Sequence, residues 1–126
     1  MTWKLKIRRE VIAGAVVLRV HGRLGTAASG ELLEAIVHAI RAGDRRLVLD
    51  LEGVDYASSA GLMVLDAAAG RMHEAGGALV LCAVTEPVRM VLDLAGLLPH
   101  FSVEPSVEAA LKTRTLEPGT FRTLEP

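Results

Sequence analysis

The stretch Tyr56-Ala-Ser-Ser-Ala-Gly-Leu62 joins an apolar run to the start of a helical pattern and puts two hydroxyls, those of Ser58 and Ser59, at the junction. A helix start offers unpaired backbone N–H groups and the positive end of the peptide dipoles, so it can hold an anion or a phosphate carried by one of those serines. Ser58 reads as the N-cap, which places Ser59 at the first helical position with its hydroxyl outside the turn. Two serines there also make sense as plain capping residues that are never modified.

Other chemistries lack their residues. No Gly-x-Gly-x-x-Gly follows a strand, no Gly-x4-Gly-Lys-Ser/Thr loop occurs, and Ser59 lacks the Gly-x-Ser-x-Gly surroundings of a hydrolase nucleophile. His21, His38, His73 and His100 fall on different elements without paired ligand spacing, which argues against a metal site. Glu31 and Glu34 flank an apolar stripe and read as its solvated face. Asp50 and Asp55 read as solvated loop anchors or turn-formers, with a role in recognition of the serine loop by a modifying enzyme as the alternative. Cys82, inside the apolar run Ala78 to Val84, reads as a small buried group. The residues predict a binding module, not an enzyme.

The elements that must position the serines follow from periodicity. Arg46-Leu-Val-Leu-Asp-Leu51 with Gly53 behind it has the pattern of a strand covered on both faces. After the serines, Leu62, Leu65, Ala69 and Met72 recur at helical spacing until Gly76-Gly77 supplies a stop. Met63, Met72 and Met90 read as core or near-core filler, although the face carrying Ser59 and Met63 is the one the sheet does not need. Upstream, Trp3, Leu5 and Ile7 alternate with Lys4, Lys6 and Arg8 as a half-wet strand, Ala13-Gly14 turns it, and Ala15 to His21 returns antiparallel. Gly22 to Gly25 reads as a loop, Thr26 as the N-cap of a helix with the stripe Leu32, Leu33, Ile36, Val37 and Ile40, and Gly43-Asp44 as its end. Downstream, the pattern predicts a strand over Ala78 to Val84, a helix from Glu86-Pro87 to about Leu94 and a short edge strand at Phe101 to Val103. Ser106 caps a last helix through Lys112. Strands alternating with helices imply an α/β class with parallel, right-handed crossovers.

At 126 residues, 51% hydrophobic and 23% charged, the chain has the size of one domain with a real core. Fourteen basic residues against fifteen acidic, scattered from Lys4 to Arg122, give no nucleic-acid footprint. A single cysteine cannot close an intrachain disulfide and fits a reducing cytoplasm, and no apolar stretch approaches the roughly 20 residues that membrane insertion needs. Residues 113–126 carry Arg-Thr-Leu-Glu-Pro twice, at Arg114 to Pro118 and Arg122 to Pro126, and read as a loosely held tail, with docking on a partner as the alternative. With Trp3, Tyr56, Phe101 and Phe121 as the aromatics, no obvious interface anchor stands out, and the expected state is a monomer or weak dimer.

The element order, with a hydrophobic-Asp-Leu strand leading into Tyr56-Ala-Ser-Ser-Ala-Gly-Leu62, resembles a STAS domain of the bacterial anti-sigma factor antagonist type over about residues 3 to 112. Leu97-Leu-Pro-His-Phe-Ser-Val103 followed by Ser106-Val-Glu-Ala-Ala-Leu111 is similar to the end of such domains. The resemblance implies a mixed four- to five-stranded sheet flanked by about four helices over residues 1–112. It implies a protein switch: the unmodified domain binds an anti-sigma factor that is also a serine kinase, and phosphorylation of Ser59 ends the binding. ATP then belongs to the kinase, and the domain needs no cofactor of its own. Ser58, Ser59, Ala60 and Met63 would meet the partner, joined by Arg23 and Thr26 from the neighbouring strand end. Such antagonists have an aspartate immediately before the acceptor, where this chain has Ser58, and commonly a second in the loop that here reads Gly22-Arg-Leu-Gly-Thr26. With both acids absent, Arg23 could pair with a phosphate on Ser59 if it faces that residue. A second function open to the same fold is a constitutive adaptor, such as the small subunit bracing the ATPase of a lipid-transport ABC complex, or a scaffold piece of a stress-signalling assembly.

Overall fold

The computed structural model describes residues 5–113; Trp3, Lys4 and the repeats from Arg114 onward, Phe121 included, lie outside the described residues. Its elements are β1 (Lys6–Ile12), β2 (Ala15–Leu24), α1 (Thr26–Arg41), β3 (Arg46–Ala57), α2 (Ser59–Glu74), β4 (Ala78–Cys82), α3 (Glu86–Leu94), a 3-10 turn (Leu98–His100), β5 (Ser102–Glu104) and α4 (Val107–Lys112). The five strands lie in sequence order, with β1 antiparallel to β2 and the rest parallel. This is the mixed α/β sheet that the alternating pattern predicts.

Alternate residues of each strand feed opposite faces. Val16, Leu18 and Val20 of β2, Leu47, Leu49 and Leu51 of β3, and Leu79 and Leu81 of β4 face one layer, where α1, α2 and α3 bury Leu32, Ile36, Leu62, Leu65, Met72, Val88 and Leu92 against them. Val17, Val48, Val80 and Cys82 face the other side and are covered through Ala110 of α4. In α2 Leu62, Leu65 and Met72 of the expected stripe are buried, while Ala68 is fully buried in place of Ala69, which is half-buried. The Leu33 and Val37 side chains of α1 are half-buried at its edge.

Most of the boundaries that differ from the sequence expectation trace to the register between β2 and β3. Val16 to Leu24 pairs with Leu47 to Ala57, so β3 contains two more residues than its partner and absorbs them at irregularities near Asp50–Gly53 and Val54–Ala57. Pairing therefore continues past the apolar run. Gly22 to Leu24, expected as loop, is strand, and β3 runs on to Ala57 beyond Leu51. The N-cap of α1 is Gly25, with no side-chain cap bond, and Thr26 is already helical, which corrects its assignment as the cap. Strand β4 ends at Cys82 rather than Val84, because Ala83 turns the chain at a φ of 52°.

Asp50 also departs from expectation. It is no loop residue but a mid-strand carboxylate only 7% exposed, accepting from the Arg19 guanidinium at 2.8 Å and from the Glu52 amide at 3.0 Å. Arg19 reaches on to Glu10 at 2.6 Å, so one cation ties β1, β2 and β3 together beside the first β3 irregularity. The Arg19 hydrogen bond, chiefly, holds the Glu10 carboxyl below its usual range, and the same bond raises the Arg19 pKa.

Candidate functional site

The extra length of β3 carries its C-terminal end level with the end of β2, and there the serine junction is built. Ser58 leaves the strand with extended backbone (φ −84°, ψ 173°). Its amide donates to the Leu24 carbonyl at 2.9 Å, its Oγ accepts from the Gly61 amide at 3.2 Å, and its carbonyl receives the Leu62 amide at 2.9 Å. Ser58 is thus the N-cap that the sequence indicates, half-buried and occupied by structure. Ser59 follows at the first helical position and is exposed. The cap is already supplied, so the Ser59 hydroxyl is not needed for it.

Gly61 is the residue that the sequence reading did not single out. A Cβ placed there would lie 2.3 Å from the Leu24 carbonyl oxygen and 2.8 Å from Leu24 Cγ, so only glycine lets the first turn of α2 settle onto the end of β2. The signal was present in the sequence, as a glycine three residues after a capping serine, where helix propensity alone disfavours it. The Leu24 carbonyl is the companion feature, meeting both the Ser58 amide and the first turn of α2.

The remaining predicted residues surround this junction unevenly. Ala60 is half-buried and Thr26 is exposed at the first position of α1, next to β2. Met63 is 70% exposed one turn into α2, and Met90 on α3 is 54% exposed, so neither is core filler; Met72 alone of the three is buried. The reason is phase: Leu62 and Leu65 take the sheet-facing positions, and Met63 falls on the opposite side of the helix. Arg23 alternates with the buried Leu24, and its guanidinium stands 4.0 Å from the centre of the Tyr56 ring, an exposed cation–π pair. Asp55 is exposed beside Tyr56.

The electrostatics at the helix start favour an added negative charge, since the first turn of α2 contains no acidic residue to complement its dipole. Cys82 offers no rival chemistry: it is fully buried, and burial, reinforced by Asp50, pushes its thiol up to about 12. Among the described residues no group of three or more His, Cys, Asp or Glu is placed to hold a metal ion, and no helix is long and apolar enough to cross a membrane.

Comparison with known proteins converges on one family. The sequence profile of the STAS domain matches residues 6–110. The chain is 36% identical over 106 residues to a Bordetella bronchiseptica protein, BtrV, described as an anti-sigma factor antagonist, covering 84% of this chain and 91% of that protein. It is 30% identical over 94 residues to the anti-sigma F factor antagonist of Paenibacillus polymyxa, covering 74% and 80% of the two. The crystal structure of an anti-sigma factor antagonist from Mycobacterium paratuberculosis superposes with a TM-score of 0.76 at 26% identity, covering 85% of this chain and 91% of that one.

Proposed function

The chain belongs to the STAS domain family, and we propose that it acts as an anti-sigma factor antagonist switched at Ser59. In the unmodified state it binds an anti-sigma factor that is also a serine kinase. That kinase then transfers the γ-phosphoryl group of its own ATP to Ser59 Oγ; the hydroxyl proton passes to a base of the kinase, ADP is released, and the complex dissociates. Ser58 caps, Ser59 receives, and Ala60, Met63, Thr26 and the Arg23–Tyr56 pair form the surrounding contact surface.

The observation that carries this reading is the division of labour between neighbouring hydroxyls: Ser58 accepts from the Gly61 amide and is half-buried, whereas Ser59 stands exposed at the same helix start. A phosphoserine brings about −1.5 to −2 charges and three strong acceptors to that position. Because the charge sits at a helix N-terminus, it is compatible with the fold, stabilising it by roughly 0.3–1 kcal/mol. The switch therefore works on the partner, through charge and desolvation, and not by melting the domain.

The test uses the anti-sigma factor kinase encoded by the same genome. Incubated with kinase and ATP, the parent chain gains one phosphate by intact mass, and Ser59→Ala gains none. Ser59→Asp keeps or slightly raises the thermal midpoint but binds the kinase at least about tenfold more weakly, a difference of about 1.4 kcal/mol. Parental affinity in Ser59→Asp would refute charge control. An ABC-type ATPase as the stable partner, with no phosphate on the chain, would favour the constitutive adaptor.

A further inference from the structure

We infer that the partner's footprint extends beyond the serine junction, along the outer stripe of α2, into a groove where a helix of the anti-sigma partner crosses at Gly70; the inference rests on the function proposed above. The groove has a volume of about 570 Å³ and lies between α2 and the segment around the 3-10 turn. Gly70, Asp66 and His73 form one wall, Pro99 and His100 the other, and Phe101 lies beside them. His100 Nδ1 and Asp66 Oδ1, 3.0 Å apart, brace the two walls.

No contact within the domain requires glycine at position 70, as none does at Gly30 of α1, but of these two helical glycines Gly70 is the one that lines the groove. It lies in the interior of α2, outside the set of residues with positive φ, and a Cβ built on it meets nothing within 4 Å. Alanine there would favour the helix by about 1 kcal/mol. This contrasts with Gly61 in the same helix, which the domain itself requires. What glycine leaves at position 70 is a notch in an exposed helix face, the feature that allows a second helix to approach more closely than the usual ~8–10 Å between axes.

The notch is continuous with the proposed contact. At 3.6 residues per turn, Ser59, Met63, Asp66 and Gly70 share one stripe, and from Ser59 to His73 that stripe runs about 21 Å. A specific protein contact takes about 20–30 residues on each side, more than Ser59, Ala60, Met63, Thr26, Arg23 and Tyr56 supply by themselves. Met63, 70% exposed, supplies the apolar contact between the two ends. The partner helix that fits is amphipathic, with an apolar side chain for the groove that Gly70 and Phe101 both line and polar groups for the Asp66–His100 rim.

The experiment titrates the purified anti-sigma factor kinase of the same genome into the full chain by calorimetry, with thermal midpoints measured in parallel. Gly70→Gln, whose side chain fills the notch, keeps or raises the midpoint yet weakens binding at least about tenfold. Leu94→Gln, on the exposed side of α3 at 81% exposure, binds as the parent does. In labelled protein, the Asp66, Gly70 and His100 amide resonances shift on addition of the kinase. Parental affinity in Gly70→Gln alongside lost affinity in Ser59→Asp would overturn this inference and leave the proposed function standing. Lost affinity in Gly70→Gln with parental affinity in Ser59→Asp would support the groove and refute the charge switch. If Gly70→Gln instead altered only self-association of the chain, the groove would belong to a second copy and the inference would fall.

Discussion

Two identical substitutions in one helix should move stability in opposite directions. In Gly61→Ala the new methyl would sit 2.3 Å from the Leu24 carbonyl oxygen, and ordinary contact begins near 3.4 Å, so the first turn of α2 or the end of β2 must give by about 1 Å. The obstruction is backbone, which cannot rotate aside. The same displacement strains the Ser58 amide bond to Leu24, at 2.9 Å, and the cap bond from Gly61 to Ser58, at 3.2 Å. Overpacking costs about 1–3 kcal/mol and a weakened hydrogen bond about 1 kcal/mol, against about 1 kcal/mol returned by alanine's helix propensity. The net is a loss of about 1–3 kcal/mol. In Gly70→Ala only the propensity gain operates, because nothing lies within 4 Å of the added atom. For a domain of this size each kcal/mol moves the midpoint by about 3–5 °C, so circular-dichroism melts should show Gly61→Ala falling by about 3–15 °C and Gly70→Ala rising by about 3–5 °C. Equal shifts of the same sign would show that the junction tolerates a methyl group and that the close approach of α2 to β2 does not fix where Ser59 stands.

The residues differ in how much of this they disclosed. Element types and the helix of the serine junction were legible because their signals are local: the alternation in β1, the stops at Gly43 and Gly76, and the caps at Ser58 and Ser106 are each decided within a few residues. The overhang of β3 was not legible, since Glu52, Asp55 and Tyr56 are exposed and carry no apolar period, and their strand conformation comes from pairing with β2. The same cause hid the helix start at Gly25, because Thr26 is a good cap in isolation and only the continued pairing of Leu24 shifts the boundary. Asp50 was misread because a charge inside an apolar run looks like an interruption until its partner, Arg19, is brought alongside by register. At the site, Ser59 could be picked out by type and position, whereas the need for glycine at position 61 depends on a carbonyl 37 residues earlier in the chain, which no local pattern contains.

Groups other than the acceptor hydroxyl give further tests. Cys82 should resist a thiol-specific alkylating agent at pH 8 in the folded protein, where a thiol pushed up to about 12 is ionised to only about one part in 10⁴, and react fully in urea; rapid native labelling would contradict its burial. Glu10 is held below its ordinary pKa of 4.5, so its contribution is present above that value and is lost as pH falls through the lowered one; Glu10→Gln should flatten the decline in stability in that acid range, and an unchanged pH profile would dismiss the Arg19 bond as a stabilising contact. Ser58→Ala should lower stability by about 1 kcal/mol, because the Gly61 amide loses its acceptor at a helix start with no acidic residue in its first turn. Ser58→Asp should recover that loss, since its carboxylate accepts the same bond and adds a favourable charge at the dipole. The pair separates two roles that adjacency confuses: if Ser58→Ala were still phosphorylated once at Ser59 while melting lower, capping and modification would belong to different hydroxyls, whereas loss of the modification with no change in stability would assign the acceptor to Ser58.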